Sequence, residues 1–185
     1  PNDNESLYHA TEQADRSILD ALVQAGARWP GTNALFRQLD HDDLPGLQQA
    51  LALGADANEL STTIGMRPLH HALMRGRGLA FVQALVSAGA DPAARDGHGL
   101  TVAWHAERVG RADVVAWLAA IGHPAPAHDP RSRIIAACAA ADEPSARAAL
   151  AAQPGLLKQL GPMDLRLLPE QAQRGQIASV RLMLA

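Results

Sequence analysis

Four times along this chain a run of apolar residues at helical spacing stops on glycine: QAGA at Gly26-Ala27, ALGAD at Gly54-Ala55, SAGAD at Gly89-Ala90 and AAIG at Gly122. The stops lie 28, 35 and 33 residues apart. A period of that size belongs to stacked structural repeats, not to one closed core. A helix that must end and reverse within one residue does so on a left-handed conformer, which glycine adopts without steric cost. The four stops therefore set a register for the residues upstream of them.

Reading back from each stop gives two short helices. The first set is SLYHATEQA, NALFRQLD, RPLHHALMR and TVAWHAERVG; the second is SILDALVQA, LPGLQQALAL, AFVQALVSA and ADVVAWLAA. In the second set Ile18, Leu19 and Leu22, then Phe81, Val82 and Leu85, then Val114, Val115 and Leu118 share one helical face. The links between pairs, ARWPGTN, ADANELSTTIGM and ADPAARDGHGL, carry the Gly, Pro, Asp and Asn that tight reversals need. Paired helices, not strands, are predicted.

The motif Arg67-Pro68-Leu69-His70-His71-Ala72, followed by a helical run and Gly89-Ala90-Asp91, resembles the ankyrin repeat, whose pattern is T-P-L-H-x-A and then G-A-D. It matches at all but the first motif position. The next copy begins at Thr101, keeps Ala106 and the inter-helix Gly110, and has Trp104 in the histidine slot. Ser6-Leu7-Tyr8-His9-Ala10 puts Tyr8 there, and Ala34-Leu35-Phe36 keeps little beyond the leucine and its GAD. Beyond Gly122 the pattern weakens: RSRIIAACAAADEPSARAALAAQPG and DLRLLPEQAQRGQIASVRLMLA each read as helix, short turn, helix, with Gly175 at the second turn. Pro169 suits a helix's first turn better than its middle.

The resemblance implies an all-α, ankyrin-type α-solenoid of about six stacked helix-turn-helix repeats with short hairpin-like turns, in a single domain over 1–185. Clear repeats are assigned to 1–28, 29–62, 63–96 and 97–127, and degenerate ones to 128–161 and 162–185. Ile177, Val180 and Leu184 lie on the outer face of the last repeat, where a further element or a second molecule is expected to cover them.

Composition narrows the function. The 185 residues are 48% hydrophobic and 19% charged, which suits a folded chain and argues against disorder. A net charge of −3 supplies no general attraction to nucleic acid or anionic lipid. No apolar run approaches the length of a membrane span, and the start PNDNESLY lacks the pattern of a secretory signal, so a cytoplasmic location is expected. The Ala, Leu and Arg bias suits a bacterial source. The single cysteine, Cys138, within IIAACAAA, reads as a structural thiol.

Eight histidines invite a metal reading, yet adjacent His70 and His71 on a helix point about 100° apart, unlike an i, i+4 metal pair. The resemblance gives His70 a backbone partner in the adjoining turn. GRG at Gly76–Gly78 lacks the lysine and Ser/Thr of a phosphate loop, and no nucleophile elbow or carboxylate pair appears. No cofactor and no enzymatic activity are expected. Trp104 and Trp117 read as core; Trp29, in the ARWPGT turn, reads either as an interface anchor or as a packing contact between turns.

In the family resembled, partners bind along turn tips and inner helices. Carried onto this chain, the turn positions are Trp29, Thr32, Thr63, Ile64, Met66, His98 and Leu100. The inner-helix positions are Glu12, Gln13, Asp40, His41, Met74, Arg75 and Arg108. Ile64, Met66, Met74 and Leu100 are apolar where a non-binding surface would be polar, and Arg75, Arg108 and Asp40 supply a charged rim. The expected function is a non-enzymatic protein–protein interaction scaffold that binds another protein along its concave face. The alternative is an inhibitor or immunity-type protein that blocks an enzyme with the same surface.

Overall fold

Proline and aspartate place several of the helix starts. Pro68, Pro130 and Pro162 each open a helix, where the missing N–H costs nothing. Asp43, Asp129 and Asp142 cap the N-termini, their carboxylates accepting from the amides of Gly46, Ser132 and Ser145 at 3.0, 2.8 and 3.1 Å. The computed structural model describes residues 5–124 and 129–185. Its chain is helical almost throughout: among the described residues the only extended pairing is an isolated antiparallel bridge between Arg95 and Thr101. The expected repeat boundary at 127–128 lies outside the described residues.

Two compact units result, Pro1–Val102 and Ala103–Ala185. The first contains helices α1 (Ser6–Ala10), α2 (Ser17–Gln24), α3 (Ala34–Asp40), α4 (Leu44–Ala52), α5 (Pro68–Met74) and α6 (Leu79–Ser87). They pack as three antiparallel pairs. α1 and α3 then stack on α3 and α5, and α4 stacks on α6. The second unit takes in nearly all of α7 (Val102–Arg108), then α8 (Ala112–Ala120), α9 (Pro130–Ala139) and α10 (Glu143–Ala152). A 3-10 turn at Leu156–Gln159 leads to α11 (Pro162–Leu165), α12 (Leu167–Gln173) and α13 (Ile177–Leu184), where α12 and α13 both pack on α9.

The described residues form six helix pairs, three in the first unit and three in the second, as the repeat reading predicts. Pro169 falls in the first turn of α12.

All four stop glycines sit in the left-handed region, with φ of +89°, +92°, +93° and +89°. After each, the next residue's N–H reaches back to a carbonyl in the helix just ended: Ala27 to Leu22, Ala55 to Ala50, Ala90 to Leu85 and His123 to Leu118. That bond satisfies an orphan carbonyl and fixes the direction in which the chain leaves. The expected core face holds at Leu19, Phe81, Val82, Leu85, Val114 and Leu118, all buried. Leu22 and Val115 are half-buried, and Ile18, in the first turn of α2, is exposed.

The departures from the motif come with local adjustments. In the second repeat Gln38 replaces the motif alanine and is fully buried. Gly46 on α4 makes the room, since a Cβ there would lie 2.5 Å from Gln38 Oε1. The glycine position between paired helices is kept by Gly76, Gly110 and Gly175, whereas Asp42 and Ala141 take the same left-handed conformation at φ of +59° and +56°. Both accept a conformer that disfavours a side chain, and the bonds around them hold it.

Candidate functional site

The turns of the first unit carry half of the positions expected to meet a partner, and hydrogen bonds tie each turn to a helix or to the neighbouring turn. In the first, the Thr32 hydroxyl donates to the Trp29 carbonyl at 2.8 Å, and the indole N–H of Trp29 donates to the Leu53 carbonyl at 3.0 Å. Trp29 is only 6% exposed and Thr32 is equally buried. The indole is thus a packing piece between one turn and the end of α4, and its hydrogen bond accounts for its burial.

The second turn is longer. Its base closes through Ser61 N–H to the Met66 carbonyl, 3.0 Å, and Gly65 N–H to the Ser61 carbonyl, 2.8 Å. Thr63 and Ile64 are carried outward, Ile64 with 39% of its surface exposed, while Met66 is half-buried. This turn is tied to the third by Gly97 N–H donating to the Gly65 carbonyl at 2.7 Å and by Arg67 Nε donating to the Arg95 carbonyl at 3.0 Å. In the third turn the buried Asp96 carboxylate accepts from the amides of His98 and Leu100, both at 2.9 Å. His98 is exposed and Leu100 half-buried.

His70 links these turns to the helices. It is fully buried, and its Nε2 lies 3.1 Å from the Leu100 carbonyl oxygen. A carbonyl can only accept, so Nε2 carries the proton. That is the backbone partner in the adjoining turn that the resemblance implies for His70. Leu7, Leu35 and Leu69 keep the motif leucine buried in all three repeats of the unit.

Along the inner helices the charged residues pair across repeats. Asp40, at the end of α3, accepts from His71 Nε2 at 2.8 Å and from Arg75 Nε at 2.7 Å, both from the following repeat. Phe36 meets the His71 ring edge to face, with centroids 5.5 Å apart. Glu12 pairs with Arg37 at 2.7 Å, and the Arg37 guanidinium lies over the Tyr8 ring. Burial pushes the His71 imidazole below the ordinary histidine value, and the Asp40 carboxylate offsets this only in part. Neutral His71 is therefore the form that the folded repeat favours.

Of the expected contact residues, Thr63, Ile64, His98, His41 and Arg75 are exposed, as are Glu12 and Gln13. Met66, Met74, Leu100 and Asp40 are half-buried, and the structure brings Asp40 and Arg75 into direct contact. Arg108, in the second unit, is 3% exposed. Its guanidinium donates to the Met163 carbonyl and lies 3.3 Å from Glu170, while its own carbonyl accepts from Gln171 Nε2 at 3.1 Å. Arg108 thus fastens α7 to α11 and α12. Family position alone put it on the surface; a partner 55 residues away along the chain takes it inside.

Trp104 and Trp117 are both half-buried, and the Trp104 ring lies under the Arg108 guanidinium. Sequence reasoning missed the Asp40–His71–Arg75 cluster as a unit, although the spacing of 31 residues between Asp40 and His71, close to the repeat period, is a signal that could have found it. No group of three or more His, Cys, Asp or Glu residues that could hold a metal ion occurs among the described residues. None of their helices is long and apolar enough to cross a membrane.

A family model described as the ankyrin repeat matches residues 65–97, the third repeat and its braced turns. A 69-residue stretch, 37% of this chain, is 41% identical to the 2-5A-dependent ribonuclease of Mus musculus and spans 9% of that protein. The motif residues of the matched segment do in three dimensions what the resemblance expects of them: Pro68 opens α5, His70 reaches the next turn, and Gly89 ends α6. This chain carries an ankyrin-repeat domain.

Proposed function

We propose that the chain is a protein-binding module without enzymatic activity, and that its partner docks on the turn tips and inner helices of the first unit. The observation that carries this reading is Ile64, 39% exposed at the tip of the longest turn. A surface of apolar Ile64, Met66, Met74 and Leu100 beside charged Asp40 and Arg75 has the apolar-centre, polar-rim make-up of a protein interface. Thr63, His98 and His41 extend the rim. Trp29 and Thr32 contribute by holding the first turn in place, and Arg108 by holding the second unit together, so the contact set is narrower than family position implies.

An ankyrin-type fold supports partner binding in general, but function follows the side chains presented, not the fold. The ribonuclease's activity and its dependence on 2-5A belong to a protein of which this chain matches 9%. Inhibition of a partner enzyme through the same surface is the finer alternative. It predicts that a captured enzyme loses activity at one chain per active site.

The test is capture with the intact chain against Met66→Asp/Met74→Asp, with bound proteins identified by mass spectrometry and helix content followed by circular dichroism. A partner retained by the wild type and lost by the double variant, with helicity unaltered, supports the surface. Equal capture by both moves the site elsewhere.

A further inference from the structure

The second unit holds a cavity of about 440 Å³ between α9–α10 on one side and α12–α13 on the other. Its floor is Ile134, Ala146 and Leu167, all buried, with Cys138, Leu150 and Leu182 beside them. The mouth is formed by Leu157 and Leu165, 57% and 62% exposed, near Arg147 and Asp164. Protein interiors contain few voids larger than a water molecule, and an empty cavity costs stability in proportion to its volume. Apolar cavities stay dry and accept apolar molecules, one of about 150 Å³ holding a benzene. The volume here is in the range of natural ligand sites.

Arg147 and Asp164 are already engaged. Arg147 Nε bonds Glu143 at 2.7 Å, within α10. Asp164 Oδ2 accepts from Arg131 Nε at 2.7 Å and from the Gly161 amide at 2.8 Å. Neither is left to meet an ionised head group, and burying an unpaired charge against this floor would be costly. The floor likewise offers no free hydrogen-bonding side chain.

We propose that the second unit binds one uncharged, largely hydrocarbon molecule in this cavity, of on the order of 18 non-hydrogen atoms if benzene's share of space is taken as the guide. A long-chain alcohol or a similarly sized neutral lipid fragment has the required chemistry. The hydrocarbon fills the space between α9 and α13, and any single hydroxyl stays at the mouth in water. The rim leucines then cover the ligand's outer end.

The test titrates the intact chain with N-phenyl-1-naphthylamine, a neutral dye that fluoresces in apolar surroundings. The expected result is saturation at one dye per chain, displacement by 1-dodecanol, and at least tenfold weaker displacement by dodecanoate. Cys138 is the chain's single cysteine and lines the cavity, so its alkylation by N-ethylmaleimide should slow at least fivefold in 1-dodecanol. Ala146→Phe and Cys138→Leu fill the space from two sides; a variant that keeps its helix content should bind dye at least tenfold less tightly. Thiol protection in the wild type holds the idea to account even where a variant fails to fold. The proposal is overturned by absent or non-saturable dye binding, by undiminished binding in a folded filled variant, by dodecanoate matching dodecanol, or by an unprotected thiol. It also falls if the chain self-associates, Leu165→Asp separates the copies, and no dye binds, because the mouth is then an interface between copies. None of these results bears on the docking surface of the first unit.

Discussion

The third repeat and the fifth and sixth helix pairs solve one packing problem by different means. In the third repeat, motif bonding and apolar packing act together: His70 reaches the Leu100 carbonyl, Asp96 holds its turn with two backbone bonds, and Phe81, Val82 and Leu85 are buried in the interior. In the fifth and sixth pairs most of the motif is gone, and individual long-range bonds do the fastening. Arg108 holds Met163 and Glu170, Arg131 holds Asp164, and Ser179 donates to the Cys138 carbonyl at 2.7 Å. Those bonds fix positions without filling space, and a large cavity remains beside them. A repeat motif is thus a joint specification of fit and of hydrogen bonding; polar substitutes recover the second more readily than the first.

The largest expected difference lies in the cores. Leu85→Ala opens a new hole in a closed interior and should cost about 2–5 kcal/mol. Leu182→Ala only enlarges an existing one and, being half-buried, should cost about 1–2 kcal/mol. Urea unfolding of both variants measures this; equal losses would mean that the second unit packs as tightly as the first.

Glycine substitutions come next. Gly89→Ala meets open space, so its cost is the left-handed conformer alone, about 1–2 kcal/mol. Gly110→Ala adds a collision, because its Cβ would lie 2.6 Å from the Ala139 carbonyl oxygen, and should cost about 1–3 kcal/mol more. If thermal melting ranks the two the other way, α7 and α9 approach less closely than described.

His70→Phe keeps a planar ring, somewhat enlarged, but leaves the Leu100 carbonyl without its donor, for about 1–3 kcal/mol. Trp104→Phe, in the equivalent motif slot of the following repeat, should cost less, since Trp104 is half-buried. Melting curves of the two variants decide whether the histidine slot matters by its hydrogen bond or only by its bulk.

The smallest effect concerns pH. Burial lowers the folded-state pKa of His71 below the unfolded value near 6.5, so the unfolded chain takes up a proton first as pH falls. The stabilisation is complete above about pH 6.5 and is lost as pH drops through the folded value. His71→Gln should therefore flatten the fall in melting temperature between pH 7 and pH 5. His9 works in the opposite sense: hydrogen bonds to Glu12 and Glu5 raise its pKa, and what it contributes is lost as pH rises past that raised value. An unchanged slope in His71→Gln would mean that Asp40 offsets the burial of His71 in full and that the fall with pH has another source.

The helix pairs, their stops and their starts were legible in the residues because each depends on a few neighbours in sequence. A left-handed glycine, a proline at a first turn and an aspartate cap act within one helical turn, and the period of the stops carries the count of repeats. The outlook of individual side chains was not legible in this way. Trp29 reads as a turn-tip anchor until the Leu53 carbonyl, 24 residues on, takes its N–H. Arg108 reads as a rim charge until Met163 and Glu170 take its guanidinium. Gln38 breaks the motif until Gly46 makes room for it.

Sequence by itself determined a chain of short paired helices in register, because backbone conformation and apolar periodicity are local properties. Tertiary structure alone decided which polar side chains face water, which are spent as fasteners, and where the interior stays open. Those outcomes depend on the distance to a partner that lies a full repeat or more away along the chain, and no local pattern encodes that distance.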